Sequence, residues 1–371
     1  MGFSIGISPN IRKSPFFDAC VADGVAGFSV YNHMFIPTNF GDPDAEYDRL
    51  INTVAMWDVG AQRQVEVSGP DAAALVQYLC TRDLSRAVVG QGYYVPICRH
   101  DGVLINDPVL LKVADDRFWL SIADSDIGLW ASAIAAERGW DAQVEEPDVS
   151  PLAVQGPRAE DVVAQLIGEW VRDLRYFGFR ETTLDDIPLL VARSGWSKQG
   201  GFELYLRDSR YGDELWQRVK QAGAALGIGP GAPNDIERIE SGLLSYGADG
   251  RLQVNPVNPF EVGLGKFVDL GSDIDFVGKS ALQNVQSAGI KRRICGYFVA
   301  GDPPQANQQA LPVFRGDEQV GLISEVTYSP RLQKGIALGF VSTEIENDSG
   351  GLSITPDDGA RSVVPAALPF I

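Results

Sequence analysis

The sequence predicts an α+β protein whose final part is all β. Three observations carry this. Short strands and helices alternate without the regularity of a βαβ series. From residue 292 onward the chain reads almost entirely as strand and turn. Its 371 residues suffice for two or three domains with a large core.

The elements follow in order. A strand over 63–67 meets Gly69-Pro70-Asp71, and a helix continues to about residue 80, with Asp71 where the helix dipole favours an anion. Strands over 93–98 and 103–105 flank Arg99-His100-Asp101-Gly102, a hairpin turn. Strands over 109–113 and 118–122 precede a helix at 125–138, read from its apolar period. A short strand at 143–146 ends at Glu146-Pro147-Asp148, a boundary. A strand over 152–155 is followed by a helix from Pro157, with proline in its first turn. Strands over 174–179 and 188–193 lead into Ser194-Gly195-Trp196-Ser197-Lys198-Gln199-Gly200-Gly201-Phe202-Glu203-Leu204-Tyr205. Helices over 208–226 and 232–246 are joined by Gly227-Ile228-Gly229-Pro230-Gly231, and a last helix covers 279–287. The remainder, with a long loop at 300–304, fits a small β-barrel or sandwich.

A net charge of −18 argues against nucleic acid and anionic membranes as partners, since both require basic surface. A small anionic ligand held by local cations stays compatible with it. No apolar run is long enough to span a bilayer, and the first 15 residues lack the apolar core of a signal peptide, so a cytoplasmic protein is expected. Cys20, Cys80, Cys98 and Cys295 show no CxxC spacing and read as free thiols. His33 and His100 give neither a metal-ligand spacing nor a Ser-His-Asp set, so no metal site is expected. Carboxylates, aromatics or an organic cofactor are left to carry the chemistry.

The 194–205 segment places a cation, an amide, two glycines and a carboxylate on a tight turn entering an alternating strand. A carboxylate entering a core strand costs several kcal/mol without a partner. Glu203 is therefore bonded to structural neighbours or faces a ligand. Asp107, in Asn106-Asp107-Pro108 between two apolar strands, either caps its own turn or recognises an N–H donor or cation. Arg238 falls a turn inside a helix capped by Asn234-Asp235, which suits either a surface pair with Glu237 or an anion site. Tyr31, Tyr94, Trp196 and Tyr246 adjoin polar turns, and serve either the core or a flat heterocycle or onium cation.

From about residue 20 to the end the chain resembles the folate-dependent aminomethyltransferase superfamily, which includes the T-protein of glycine cleavage. The resemblance rests on Trp57-Asp58-Val59, Val65-Glu66-Val67-Ser68-Gly69-Pro70-Asp71-Ala72, Ile105-Asn106-Asp107 and the 195–205 segment. It continues through Glu237-Arg238-Ile239-Glu240-Ser241-Gly242-Leu243, Phe260-Glu261-Val262-Gly263-Leu264-Gly265, Phe276-Val277-Gly278-Lys279, Tyr328-Ser329-Pro330 and Ile336-Ala337-Leu338-Gly339-Phe340. Within the superfamily, Tyr31-Asn32-His33-Met34, Tyr94-Val95-Pro96, Leu120-Ser121-Ile122-Ala123 and Ser197-Lys198-Gln199-Gly200-Gly201 are most similar to the dimethylsulfoniopropionate demethylases. T-proteins carry Asp-Val-Ser-His-Met and Tyr-Thr-Gly-Glu where this chain has Asp58-Val59-Gly60-Ala61-Gln62 and Trp196-Ser197-Lys198-Gln199.

The resemblance implies a three-domain cloverleaf around a central folate site. Its folate-binding domain is expected from 1–50 with 147–285, a second domain from 51–146 and a C-terminal β-barrel from 286–371. It implies tetrahydrofolate as cofactor, Asp107 as the essential carboxylate near the reacting nitrogen, and Tyr94, Ser121, Trp196, Glu203 and Arg238 as further folate contacts. The sulfonium substrate is expected at Tyr31, Trp196, Lys198, Tyr205 and Tyr246, with Lys198 or Arg251 opposite its carboxylate. Ala123 stands where the family has asparagine, Lys266 where T-proteins have tryptophan, and residues 248–255 follow neither group. The implied activity is methyl transfer from dimethylsulfoniopropionate to tetrahydrofolate. Its rivals are another onium or methoxy-aromatic donor, and glycine-cleavage aminomethyl transfer. The Lys-Gly-Cys-Tyr motif of folate-binding iron–sulfur assembly proteins is absent. A homodimer is compatible with the sequence.

Overall fold

The structure, a computed structural model, describes residues 8–345, 350–357 and 359–371. Two units divide the chain. The first comprises the chain up to Ala73, Ala87–Tyr93 and Val109–Asn234; the second comprises Ala74–Arg86, Tyr94–Pro108 and the chain from Asp235.

Alternation along Gly201–Leu206 sets the layering of the first unit. Phe202, Leu204 and Leu206 point to one face and enter a core with Val162, Val163, Leu215, Trp216 and Val219 from the helices Ala159–Ile167 and Gly212–Gly223. Glu203 and Tyr205 point to the opposite face, where Tyr205 joins Leu111, Trp119, Phe179 and Leu190. The strand lies inside a six-stranded sheet in the order Phe179–Leu184, Ile187–Ala192, Gly201–Leu206, Ser150–Gln155, Ala55–Asp58, Gly229–Gly231. Every pairing is antiparallel except that of Gly229–Gly231 with Ala55–Asp58. A second sheet has the order Gln143–Glu145, Gln64–Ser68, Arg117–Ser121, Val109–Ala114, Gly92–Tyr94.

In the second unit the C-terminal strands close into a six-stranded barrel, which decides between the barrel and the sandwich that the sequence allowed. Arg292–Val299 pairs with Lys334–Ser342 on one side and Arg361–Ala366 on the other, and this closes the ring. Tyr297, Val313, Ile323, Ala337, Val341 and Val363 fill it. The helix Asp235–Ser241 lays Ile239 on Ile336 and Leu338. No described helix is long and apolar enough to cross a membrane.

Several predicted elements differ; the expected strand over 93–98 is two strands, Gly92–Tyr94 and Ile97–Cys98, in different sheets. The expected strand over 174–179 is a turn, and the strand is Phe179–Leu184. Phe177 adopts φ +61°, outside the extended region, and exposed Tyr176 supplies the apolar signal without a sheet to bury it. The expected helix over 232–246 is only Asp235–Ser241, because Gly242 turns left-handed at φ +64° and ends it. A separate turn of helix, Tyr246–Asp249, follows.

The hairpin Gly27–Tyr31/Met34–Asn39 turns on Asn32 and His33, both with positive φ, as a two-residue turn requires. Asn32 is buried; its amide N–H donates to Asp124 Oδ1 at 2.8 Å and its Nδ2 to the Ala61 and Ile122 carbonyls at 3.1 and 3.3 Å. Replacing Asn32 by Ala is expected to cost about 2 kcal/mol in urea unfolding, through lost hydrogen bonds and a left-handed residue without asparagine's tolerance for it. Asn32→Gly, which keeps the backbone freedom, should cost less.

Candidate functional site

Glu203 lies 6% exposed, flanked across the sheet by Ala153 and Ala192, so small side chains border its carboxylate. Ser194 Oγ donates to its Oε2 at 2.5 Å and the Tyr205 hydroxyl donates to the same oxygen at 3.2 Å. Burial pushes the Glu203 carboxyl above its ordinary range, while the two hydroxyls work against that shift. Tyr205 is fully buried, and Ser121 hydrogen-bonds with it. Gln64 Nε2 in turn donates to Ser121 Oγ at 3.0 Å. Of the residues expected in the first unit, Glu203, Tyr205 and Ser121 thus form one connected network.

Ser194 also begins the loop that carries Trp196 and Lys198 and ends at Gly201. Trp196 is half-buried and Lys198 exposed. Tyr31 ends the strand held by the Asn32 turn, and is half-buried. Tyr205 was expected against substrate; its burial and its bond to Glu203 place it behind that carboxylate.

In the second unit, Ile97–Cys98 and Leu104–Asn106 form the hairpin that delivers Asp107. The Tyr94 hydroxyl donates to Asp107 Oδ2 at 2.5 Å, and Val95 N–H donates to the Pro108 carbonyl at 3.0 Å. Phe267 meets the Tyr94 ring edge-on at 5.4 Å, and the Arg82 guanidinium donates to the Tyr94 carbonyl at 3.2 Å. Burial pushes the Asp107 carboxyl up to about 7; the Tyr94 bond lowers it and the Asp249 charge raises it further. Tyr94 and Asp107 are therefore bonded to each other, with the carboxylate poised between protonation states near neutrality.

Arg238 differs from its expected role. It is fully buried, pairs with Asp249 at 2.9 Å and with Glu325, and donates to the Leu243 carbonyl at 3.0 Å. Its guanidinium neutralises carboxylates of the fold instead of meeting an anion at a helix start. Short range in sequence suggested the cap; the partners lie 11 and 87 residues away. Tyr246 is 4% exposed, a core position more than a surface for a ligand. The 248–255 stretch is anchored by Asp249 and by Asn255, whose Nδ2 donates to the Asp249 carbonyl at 2.7 Å and whose Oδ1 accepts from Arg292 at 2.7 Å. Ser324 Oγ donates to Asp249 Oδ1 at 2.5 Å.

Sequence reasoning gave Gln155 and Asp58 no role. Asp58 is buried, accepts from Ser14 Oγ at 2.5 Å and from Gly60 N–H at 3.0 Å, and burial pushes it up to about 6. Gln155 contacts both ends of the 194–201 loop. Its only signal in sequence was a glutamine ending an apolar strand before Gly156-Pro157.

Fold and site together define a class. Residues 16–272 match the GCVT N-terminal domain and residues 292–371 the glycine cleavage T-protein C-terminal barrel domain. The chain belongs to the glycine cleavage T-protein family. Among its relatives is the dimethylsulfoniopropionate demethylase DmdA of Ruegeria pomeroyi, 43% identical over 360 residues, 97% of each chain. The aminomethyltransferase of Bacillus mycoides is 30% identical, covering 90% of this chain and 91% of that one. The glycine cleavage aminomethyltransferase T of Bartonella henselae has the same fold, with a TM-score of 0.84 at 21% identity over 97% of this chain and 98% of that one.

If Arg238 serves the fold, Arg238→Ala leaves buried Asp249 and half-buried Glu325 without their cation and should cost about 3 kcal/mol in chemical denaturation. A variant with wild-type stability and only weakened ligand binding would return Arg238 to the binding site.

Proposed function

We propose that the protein is a tetrahydrofolate-dependent demethylase that moves a methyl group from dimethylsulfoniopropionate to N5 of tetrahydrofolate, giving methylmercaptopropionate and 5-methyltetrahydrofolate. The observation that carries this reading is the Tyr94–Asp107 pair, a carboxyl held near neutrality by burial and gripped at one oxygen. The 43% identity to the Ruegeria enzyme supports the choice of methyl donor.

The residues suit a reduced pterin. Its amino-pyrimidine edge presents N–H donors, and an ionised carboxylate is acceptor only. Both intramolecular bonds to Glu203 fall on Oε2, so Oε1 is the atom that accepts from the ring. When bound, tetrahydrofolate supplies the nitrogen that takes the methyl group.

The remaining steps belong to the protein. A sulfonium methyl is already electrophilic, because its leaving group is a neutral thioether, so alignment and exclusion of water carry much of the task. Trp196 and Tyr31 hold the onium centre by cation–π attraction. Lys198 faces the substrate carboxylate. Asp107, held by Tyr94 at Oδ2, accepts at Oδ1 the proton released as the nitrogen is methylated. Tyr205 and Ser121 act through Glu203 by fixing its orientation.

An anaerobic assay of the purified protein with both substrates, followed by mass, should give the two products in equal amounts. Tetrahydrofolate binding with no product from the sulfonium would sink the choice of donor, and ammonia released from an aminomethyl-lipoyl carrier would point to glycine cleavage.

Asp107→Asn should lower turnover by about 10²-fold or more while changing folate affinity little. The pH profile has a definite sign. Below about 7 Asp107 is protonated and its accepting form is lost, so turnover should fall on the acid side with a midpoint near 7. Tyr94→Phe removes the bond that favours the carboxylate, so that midpoint should move to higher pH.

A further inference from the structure

Gln155 ends the strand Ser150–Gln155, in register with Gly201 on one side and Ala55 on the other. It is fully buried. Its carboxamide reaches both ends of the 194–201 loop. Nε2 faces the Ser194 carbonyl at 3.1 Å and the Phe202 and Val154 carbonyls at 3.3 Å, and Oε1 accepts from Ser197 Oγ at 2.8 Å. Three carbonyls and one hydroxyl thus converge on one side chain, and only an amide has donors and an acceptor placed for both.

The loop is also shaped around this group. A Cβ on Gly195 would lie 2.0–2.3 Å from the Gln155 amide atoms, and one on Gly201 would lie 2.5 Å from Nε2 and 2.4 Å from the Val154 carbonyl. Both residues have φ near +150°, where side chains are strongly disfavoured. The loop's own backbone supplies one closing bond to this strand end, Gly156 N–H to the Gly200 carbonyl at 2.9 Å. Trp196 sits between Gly195 and Ser197, two residues that press on or bond to the amide. Ser194, whose carbonyl Gln155 holds, is the residue whose hydroxyl bonds Glu203.

We propose that Gln155 is the positioning residue of this site: its carboxamide holds the 194–201 loop in the conformation that presents Trp196 and Lys198 and aligns Ser194 against Glu203. The link to substrate rests on the demethylase reading above, while the clamp itself does not.

Two variants separate the parts. Ser197→Ala removes one bond on the loop side only. Gln155→Met keeps bulk and removes every polar contact. Native-state trypsin cleavage after exposed Lys198 reads loop closure without reference to any substrate. Cleavage should rise about tenfold in Gln155→Met and less in Ser197→Ala, as lost buried hydrogen bonds imply. Ser197→Ala should raise the KM for the sulfonium severalfold and leave the KM for tetrahydrofolate and kcat near wild type. Gln155→Met should raise both KM values about tenfold. Wild-type cleavage in Gln155→Met, or losses confined to its melting temperature with both KM values unchanged, would overturn the proposal. Should Gln155→Met not fold, Ser197→Ala decides by the same cleavage and KM readings. If the wild type turns over no sulfonium, the demethylase reading fails by itself; faster cleavage in the variants still sustains the clamp, and unchanged cleavage overturns it.

Discussion

A carboxylate taken out of water has to be given donors or a partner cation, and in this protein that requirement organises much of the interior. Glu203 is held by two hydroxyls, Asp107 by one, Asp58 by a hydroxyl and a backbone N–H, and Asp249 by an arginine and a serine. The choice of partner decides the chemistry. Burial raises the carboxyl's proton affinity and a neutral hydroxyl offsets that only in part, so Asp107 is poised near neutrality. A buried guanidinium cancels the charge and ties elements together, as Arg238 does for Asp249 and Glu325.

The same logic separates the residues proposed to meet a ligand from those that hold them still. Glu203 has an oxygen that its hydroxyl partners do not use, whereas Tyr205 has spent its hydroxyl on Glu203 and lies in the core. Burial therefore moves a residue such as Tyr205 from contact to support without removing it from function. Gln155 belongs to that supporting group and is satisfied at both ends of its amide.

The strand Gly201–Leu206 shows how little is needed to place a carboxylate. Its period of two sends Phe202, Leu204 and Leu206 to the helices, and with them fixed Glu203 has only the other face to occupy. A shift of one residue would turn Glu203 toward the helices and take Phe202, Leu204 and Leu206 out of their core, so packing on both faces enforces the register.

Much of this was legible in the sequence, and for a common reason: the signals were local. Period-two alternation and glycine turns located most of the strands, the all-β character after residue 292 located the barrel, and the motifs around Asp107 and Glu203 identified the family. What only the tertiary structure decided were pairings between distant residues. Arg238 reads locally as a surface partner of Glu237 or a helix-start anion site, but its partner Glu325 lies 87 residues away. Gln155 carried little local signal beyond its place at a strand end, because its partners Ser194 and Ser197 lie 39 and 42 residues further on. Helix 232–246 was overextended because periodicity cannot see that Gly242 turns left-handed. Sequence fixes which residues are able to ionise, donate or pack; which of them are taken out of water together is settled by the fold, and that decides which become chemistry and which become structure.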